Sequence, residues 1–146
     1  MAGFDYSNSR CYFITVCTHK KFEIFGRIQD GVMQLSDIGQ IVADEMPNIQ
    51  QTYKNVHVFN NVVMPNHVHM IIKVGIDSPT ISQIMNQWKR AISIKAGYSP
   101  WQKSFHDRVI RDRSEFEKIA TYVENNIANW DNDCHHPKKN KSSVLV

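Results

Sequence analysis

The sequence predicts an α+β fold, in which helices cover a ferredoxin-like antiparallel sheet of βαββαβ order and one helix is added towards the C-terminus. Strand-like and helix-like segments follow one another along the chain in the order that this fold requires. Only Met64, Pro65 and Asn66 separate the middle two strands, and so short a connection makes them antiparallel. The length of 146 residues favours one domain. We expect that domain over residues 1–130, followed by a polar, flexible tail over residues 131–146.

The first half of the chain supplies three of the strands and one helix. Segments rich in β-branched and aromatic residues predict strands at residues 11–18, 56–63 and 67–74. Residues 22–35 form an excursion that contains an Asp30-Gly31 turn. Ser36 is placed to cap a helix that runs from residue 37 to about residue 53. Pro47 should break or bend this helix, because proline lacks the amide proton that a helix interior needs.

The second half supplies two helices and a last strand. Ser78 and Pro79 are placed to cap and begin a helix that ends before Gly97. Residues 104–111 are predicted to form a strand. A capping box over residues 114–117 opens a helix that extends to about Asn129.

Composition excludes two classes of protein. No run of about 18 apolar residues occurs, so we expect no membrane span. The first residues lack the basic and apolar regions of a signal peptide, and we expect a cytoplasmic protein. Cys11 and Cys17 stand about 20 Å apart in one extended strand, too far for a disulfide, which needs Cα atoms within about 7 Å. With three cysteines in all, reduced thiols are expected.

The net charge of +3 is unevenly distributed. Residues 1–87 carry six Lys/Arg and seven Asp/Glu, whereas residues 88–113 carry seven and two. Four aromatic residues are interleaved with the basic ones: Trp88, Tyr98, Trp101 and Phe105. Basic groups neutralise phosphates and aromatic faces stack on bases, so a polynucleotide is one candidate partner. The other interpretation is a solvated helix face followed by core aromatics.

His67 and His69 lie two residues apart in a predicted strand. Because strand side chains alternate between faces, both imidazoles leave the same face, while Val68 and Met70 leave the other. Two adjacent imidazoles on a rigid strand make half of a metal site. A pair of half-exposed histidines without a ligand is the alternative.

Tyr122 and Asn126 stand one helical turn apart on the last predicted helix, which makes them neighbours on its surface. Tyr122 offers a nucleophile and Asn126 an oxygen ligand. The alternative makes Tyr122 an amphipathic residue at the edge of the core and Asn126 a polar residue at a fraying helix end.

Residues 63–72 (VMPNHVHMII) resemble the HUH signature, His-hydrophobic-His, of the single-tyrosine transposases. Residues 122–126 (YVENN) resemble the tyrosine helix of that family, and residues 104–111 (SFHDRVIR) are similar to the strand that precedes it. Residues 88–90 (WKR) resemble the basic end of the preceding helix. The likeness covers about residues 12–130 and is strongest to the branch of REP-associated tyrosine transposases, which act on repetitive extragenic palindromes in bacterial genomes. Ile127 departs from the proline that this branch often has there.

The resemblance implies a DNA transposase that cleaves and rejoins single-stranded or hairpin DNA through a 5′-phosphotyrosine on Tyr122. His67, His69 and Asn126 would hold a divalent ion, Mg²⁺ or Mn²⁺, and no nucleotide cofactor is needed. Four basic residues are the candidates for phosphate contacts: Lys89, Arg90, Arg108 and Arg111. A homodimer is a further possible partner, and Tyr122 could act beside its own chain's histidines or a partner's.

Two other functions stay open. One is a non-catalytic single-stranded DNA-binding protein derived from such a transposase, and the other is a metal-dependent phosphohydrolase. His106 could join the site, although a hydrogen bond to a core neighbour is the favoured interpretation.

Three other groups are expected to have no chemical role. Cys17 and His19 share a strand face and are expected to pack or to lie at the sheet edge. Residues 134–136 (CHH) lack zinc-finger spacing and are expected in a mobile tail. Asp44 and Glu45 are expected to be an exposed helical pair, since adjacent helix residues do not face each other.

Overall fold

A computed structural model describes residues 9–137 and contains ten regular helices and strands. In chain order they are β1 (Ser9–Cys17), β2 (Gly26–Gln29), β3 (Val32–Leu35), α1 (Asp37–Glu45), α2 (Asn48–Thr52), β4 (Val56–Met64), β5 (His67–Gly75), α3 (Ile81–Ala96), β6 (His106–Ile110) and α4 (Arg113–Glu124). Four strands form one sheet in the order β4-β5-β1-β6, and all neighbours are antiparallel. The predicted α+β class and antiparallel sheet are therefore confirmed.

The two faces of the sheet are covered by different helices. Val68 and Met70 of β5 belong to the larger core cluster, which includes residues of α1, α2 and α3; we call this side the α3 face. Ile71 belongs to the smaller cluster, which α4 completes with Phe116 and Ile119; we call this side the α4 face. Because β5 alternates with period two, His67 and His69 lie on the α4 face with Ile71.

Local sequence signals placed the turns and breaks correctly. Asp30 and Gly31 have φ angles of 54° and 76° in the β2–β3 hairpin, the positive values that a tight hairpin turn needs. Pro47 separates α1 from α2. Gly97, with φ of 84°, ends α3 in the left-handed conformation that glycine adopts without steric cost.

Both later helices begin at a different residue from the one predicted. Thr80, rather than Ser78, caps α3, because its side chain and that of Gln83 each accept a hydrogen bond from the other's backbone amide. Asp112, rather than Ser114, caps α4, and its carboxylate accepts the amide of Glu115 at 2.8 Å. A carboxylate at this position is also favoured by the helix dipole. The helix ends at Glu124 instead of about residue 129.

The end of the described chain differs from the expected polar tail. Residues 130–136 begin with a 3₁₀ turn, Trp130–Asn132, and turn back over the α4 face. The side chains of Trp130, Asp133 and His136 are buried. The large aromatic side chain of Trp130, which follows α4 after the short segment 125–129, supplies the apolar surface that anchors this return. The rest of the predicted tail, residues 138–146, lies outside the described residues, as do residues 1–8.

Within residues 9–137, no helix combines the length and the apolar character needed to cross a membrane.

The two candidate caps of α4 can be distinguished by substitution. Asp112→Ala should lower the free energy of unfolding by about 1 kcal/mol, because it removes the acceptor for an otherwise unpaired helix amide. Ser114→Ala, at an exposed position inside the first turn, is the matched control and should change stability little. Urea unfolding followed by circular dichroism measures both. Equal losses in the two variants would contradict the assignment of Asp112 as the cap.

Candidate active site

His67 and His69 form the centre of a polar cluster on the α4 face, where β5 begins. Both side chains are buried, at 0% and 2% exposure, and their ring centroids lie 4.6 Å apart. The prediction that they share a face is confirmed by the strand register, and the alternative of half-exposed histidines is wrong. Burial of both rings between β1 and α4 means that neither can turn towards bulk water.

Each histidine is oriented by a neighbour that binds its Nδ1 atom. His67 Nδ1 lies 2.8 Å from Asn66 Oδ1, and His69 Nδ1 lies 3.0 Å from Thr15 Oγ1. An amide oxygen can only accept, so Nδ1 of His67 donates and its Nε2 carries the free lone pair. Metal-binding histidines commonly donate their second ring N–H to a neighbouring acceptor, which fixes the tautomer and the ring orientation.

Asn66 also ties the turn before β5 to two other segments. Its backbone oxygen accepts the amide of Thr18 at 3.0 Å. Its side-chain nitrogen donates to the carbonyl oxygens of His135 at 2.8 Å and Lys21 at 3.3 Å. Through its side chain and its backbone oxygen together, Asn66 therefore holds the first histidine, the end of β1 and residues 130–136 in a common arrangement.

Tyr122 and Asn126 come to this cluster from α4 and the turn after it. The Tyr122 ring lies 5.5 Å from that of His69 and is 43% exposed, so the phenol borders both the histidines and solvent. Asn126 is almost completely buried, and its Nδ2 donates to Asp133 Oδ2 at 3.0 Å. Asn126 was predicted to lie within the last helix, but it follows the end of α4, because the helix stops at Glu124. The tyrosine and both histidines belong to one chain.

His135 is the residue of this cluster that the sequence reasoning missed. Its ring lies 4.4 Å from that of His67 and 6.1 Å from that of His69, where a mobile tail was expected. The reason is the anchoring of residues 130–136 by Trp130 and by the bond from Asn66. The one signal in the sequence is the run of ligand-type residues 133–135, which has no recognised spacing.

The donor set fits a divalent metal ion. One ligand atom from each of His67, His69 and His135 lies within 4.8 Å of the others. Among the described residues, four buried side-chain atoms have no hydrogen-bond partner, and three of them meet here: His67 Nε2, His69 Nε2 and Asn126 Oδ1. Unpartnered buried polar atoms are costly, at about 1–3 kcal/mol each. With His69 in the tautomer whose Nδ1 donates to the Thr15 hydroxyl, a bound cation would satisfy all three. Imidazole with amide oxygen suits several divalent ions.

Burial keeps the imidazoles neutral, as metal binding requires. Burial, and next the His69 ring, hold the pKa of His67 well below its ordinary 6.5. Burial, and next the His135 ring, lower the pKa of His69 to about 4. Burial, and next the Lys21 ammonium, lower the pKa of His135.

Tyr122 is harder to ionise here than a free phenol. Its pKa is raised by partial burial and by the Asp133 carboxylate, while a hydrogen bond with Asn126 acts in the opposite direction. The site therefore needs additional positive charge if Tyr122 is to react as a phenolate.

The basic residues 88–113 do not form one surface. Lys89 is buried, and its ammonium donates to the backbone oxygens of Gln102 at 2.9 Å and Lys103 at 3.4 Å. The predicted contact of Lys89 with a phosphate is therefore wrong. Burial accordingly lowers the pKa of Lys89. Trp88 and Trp101 are core residues on the α3 face, in agreement with the interpretation of core aromatics.

The three predicted arginines are exposed but lie on different elements. Arg90 belongs to α3, and Arg111 follows β6. Arg108 lies on β6 opposite Phe13, pairs with Glu115 at 3.1 Å and keeps a side chain that is 67% exposed. Phe13 contacts both His69 and Tyr122. Because Arg108 lies opposite Phe13 in the sheet, it is the one of the three candidate phosphate-binding arginines that the strand register brings beside the site.

Two minor predictions need correction. His106 is exposed on β6, opposite Thr15, instead of bonding within the core. Edge position explains this, since β6 has a neighbour on one side only. Glu45 is buried and pairs with Lys95 of α3, so Asp44 and Glu45 are not an exposed pair.

The prediction for Cys17 and His19 holds in part. Cys17 is buried at the sheet as expected, and its sulfur lies 4.0 Å from His135 Nδ1. His19 lies in a 3₁₀ turn after β1 and therefore does not share a strand face with Cys17.

Comparison with known proteins supports the fold. No family profile matches the chain. An uncharacterised protein of Haemophilus influenzae is 28% identical, with 89% of this chain and 87% of that protein aligned. A solved structure of a REP-associated tyrosine transposase bound to a REP hairpin matches 86% of this chain and 70% of its own, with a TM-score of 0.67 and 16% identity. A transposase candidate from Deinococcus radiodurans matches 82% of this chain and 92% of its own, with a TM-score of 0.57 and 14% identity. The chain thus has a transposase-like fold.

The buried imidazoles predict a pH-dependent stability of the metal-free protein. Between the pKa of about 4 for folded His69 and its ordinary 6.5, the unfolded chain binds a proton that the folded chain does not. The free energy of unfolding should therefore fall on acidification through this window, by up to about 1.4 kcal/mol per pH unit for this one imidazole. His69→Gln should make the dependence less steep, while buried His67 and His135 continue to contribute to it. Urea unfolding in the presence of a chelator measures the change.

The matched control is His57→Gln, at an exposed position on β4, which should keep the wild-type dependence on pH. A slope in His69→Gln that equals the wild-type slope would show that His69 does not stay neutral when buried.

Proposed function

We propose that this protein is a DNA transposase or strand transferase that cuts and rejoins single-stranded DNA with Tyr122 as the nucleophile. The observation that carries the proposal is the position of Tyr122 beside the buried pair of His67 and His69 within one chain, 5.5 Å from the second imidazole. The sequence resemblance to HUH single-tyrosine transposases and the transposase-like fold support it.

The proposed reaction is a transesterification in two halves. Tyr122 Oη attacks a backbone phosphorus, the bond to the 3′-oxygen breaks, and that oxygen leaves with the proton that the phenol loses. The products are a 5′-phosphotyrosine and a free 3′-hydroxyl. A second 3′-hydroxyl then attacks the phosphotyrosine, which restores a phosphodiester and returns the proton to Tyr122. Since the phosphotyrosine link conserves the energy of the broken phosphodiester bond, no nucleotide cofactor is required.

The buried donors have a positioning role in this scheme. His67, His69 and Asn126 would hold a divalent ion, with His135 as a further donor at the same place. When bound, such an ion supplies positive charge for the scissile phosphate and the developing phenolate. Asn66 and Thr15 keep the imidazoles oriented before substrate arrives, and the exposed side of Tyr122 faces the solvent from which a DNA strand would approach.

DNA with a hairpin or palindromic element is the proposed substrate. The structurally similar REP-associated transposase is bound to a REP hairpin, which supports this class of partner for a chain of the same fold. Arg108 is the best placed of the predicted phosphate contacts, and Arg90 and Arg111 are exposed candidates farther along the surface. Tyr122 lies beside the histidines of its own chain, so the proposal needs no second copy.

Substitution of the nucleophile tests the reaction. The protein is incubated with Mn²⁺ and single-stranded oligonucleotides that carry a hairpin beside randomised sequence, and covalent adducts are separated on a denaturing gel. Wild-type protein should form an adduct, and Tyr122→Phe should form none, because it lacks the attacking oxygen. Tyr98→Phe, at an exposed tyrosine after α3, is the matched control and should form the wild-type amount.

The same experiment separates the competing functions. Adduct formation by Tyr122→Phe would refute the assignment of the nucleophile. DNA binding without any adduct, whichever divalent ion is supplied, would instead support a non-catalytic DNA-binding protein. Cleaved DNA that never becomes linked to the protein would support a phosphohydrolase.

The contribution of Arg108 to DNA binding can be measured from salt dependence. Arg108→Ala should reduce the slope of log affinity against log salt concentration by about 0.7, the value expected for one lost phosphate contact on a single strand. Lys54→Ala removes the same charge from an exposed loop between α2 and β4 and should leave the slope unchanged. Fluorescence anisotropy with a labelled single strand provides both values. Identical slopes in Arg108→Ala and wild type would exclude a phosphate contact at Arg108.

A further inference from the structure

We infer that Asp133 is a positioning residue that orients the amide of Asn126, so that the oxygen of this amide, and not its nitrogen, points to the metal-binding histidines. The inference extends the proposed function, because it rests on the proposed role of Asn126 as a ligand. Asp133 lies outside every motif that the sequence analysis identified.

The amide of Asn126 needs an external constraint. Rotation of the terminal amide by half a turn exchanges its oxygen for its nitrogen with little intrinsic cost. In one orientation the group offers a lone pair to a cation, and in the other it presents two N–H bonds that repel the cation. The hydrogen bond with Tyr122 does not select between them, because a phenol can both donate and accept.

Asp133 supplies the selection. A carboxylate only accepts hydrogen bonds, so the neighbouring amide must turn its nitrogen towards it. Asn126 Nδ2 donates to Asp133 Oδ2 at 3.0 Å, and Asn126 Oδ1 is left buried without a hydrogen-bond partner. Both side chains are almost fully buried, which excludes water as a competing partner.

Asp133 is itself held in place from two sides. Its other oxygen, Oδ1, accepts the backbone amide of His135 at 2.8 Å. Its own amide donates to the backbone oxygen of Trp130 at 3.0 Å, in the 3₁₀ turn anchored by the buried Trp130 ring. These two hydrogen bonds fix the orientation of the carboxylate, and with it the orientation of the Asn126 amide that donates to Oδ2.

The test measures Mn²⁺ affinity of the full chain by electron paramagnetic resonance of the free ion. Asp133→Ala should weaken binding about ten- to a hundred-fold, the usual effect of losing a residue that orients a metal ligand. Asp131→Ala removes the same group from an exposed position in the same segment, and it should bind Mn²⁺ like wild type.

A double-mutant cycle shows through which residue Asp133 acts. If it acts through Asn126, Asp133→Ala should have no further effect in an Asn126→Ala background and its full effect in a His135→Ala background. The reverse pattern would overturn the inference, because Asp133 would then act by holding His135. An undiminished effect in both backgrounds would also overturn it and would make Asp133 a ligand. No effect in the otherwise wild-type chain would do the same.

A spectroscopic readout reports the hydrogen bond directly. The side-chain amide resonance of Asn126, assigned by its loss in Asn126→Ala, should be shifted from those of exposed asparagines and protected from exchange in the wild type. It should lose both properties in Asp133→Ala, and persistence of both would refute the inference. If Asp133→Ala fails to fold, Asp133→Asn keeps the volume but loses one acceptor, and it should show the same dependence on background.

These readouts are independent of the DNA reaction. A metal-affinity cycle that behaves as expected without any DNA adduct would leave the role of Asp133 intact and refute the strand transferase. An adduct that depends on Tyr122, with Mn²⁺ affinity unchanged in Asp133→Ala, would do the opposite.

Discussion

The pairing of β5 with β4 on one side and β1 on the other is the constraint on which the rest of the structure depends. Val68 and Met70 are fully buried on the α3 face, so the register of the strand is determined by the apolar core. A slip of one residue would exchange the two faces and place His67 and His69 in that core without partners for their nitrogens. The energy that fixes the hydrophobic core therefore also fixes the positions of the imidazoles.

The parts of the fold that follow from local chemistry could be predicted from the sequence. The four strands of the main sheet follow from segments rich in β-branched and aromatic residues. The Pro47 break and the left-handed Gly97 each depend on a residue type with one strong conformational preference. The strands β2 and β3 were not predicted, although the turn between them was. Helix starts could not be chosen in the same way, because Asp112 and Ser114 both carry a suitable oxygen. Which of them reaches a free helix amide depends on where β6 ends, and that is a property of the sheet.

The candidate site also contains parts that the sequence predicts and parts that it does not. Strand alternation predicts that His67 and His69 are adjacent, but it contains no information about segments that are distant in sequence. His135 reaches the cluster because the side-chain amide of Asn66, 69 residues earlier, donates to its carbonyl oxygen. The residue spacing in neither segment predicts this contact. The sequence also did not predict which basic side chains are exposed. Lys89 is buried among backbone oxygens, although it lies in the most basic part of the chain.

The two faces of the sheet differ in how completely apolar side chains fill them. The α3 face is a dry core of aliphatic and aromatic residues, and it supplies most of the apolar burial. The α4 face has a smaller apolar cluster, which leaves room for a patch of neutral imidazoles and an amide whose lone pairs are unmatched. Such groups would relax or hydrate in a mobile setting. Here Asn66, Thr15 and Asp133 hold them in place, so their unmet bonding capacity would be available to the cation and to the developing charge of the proposed reaction.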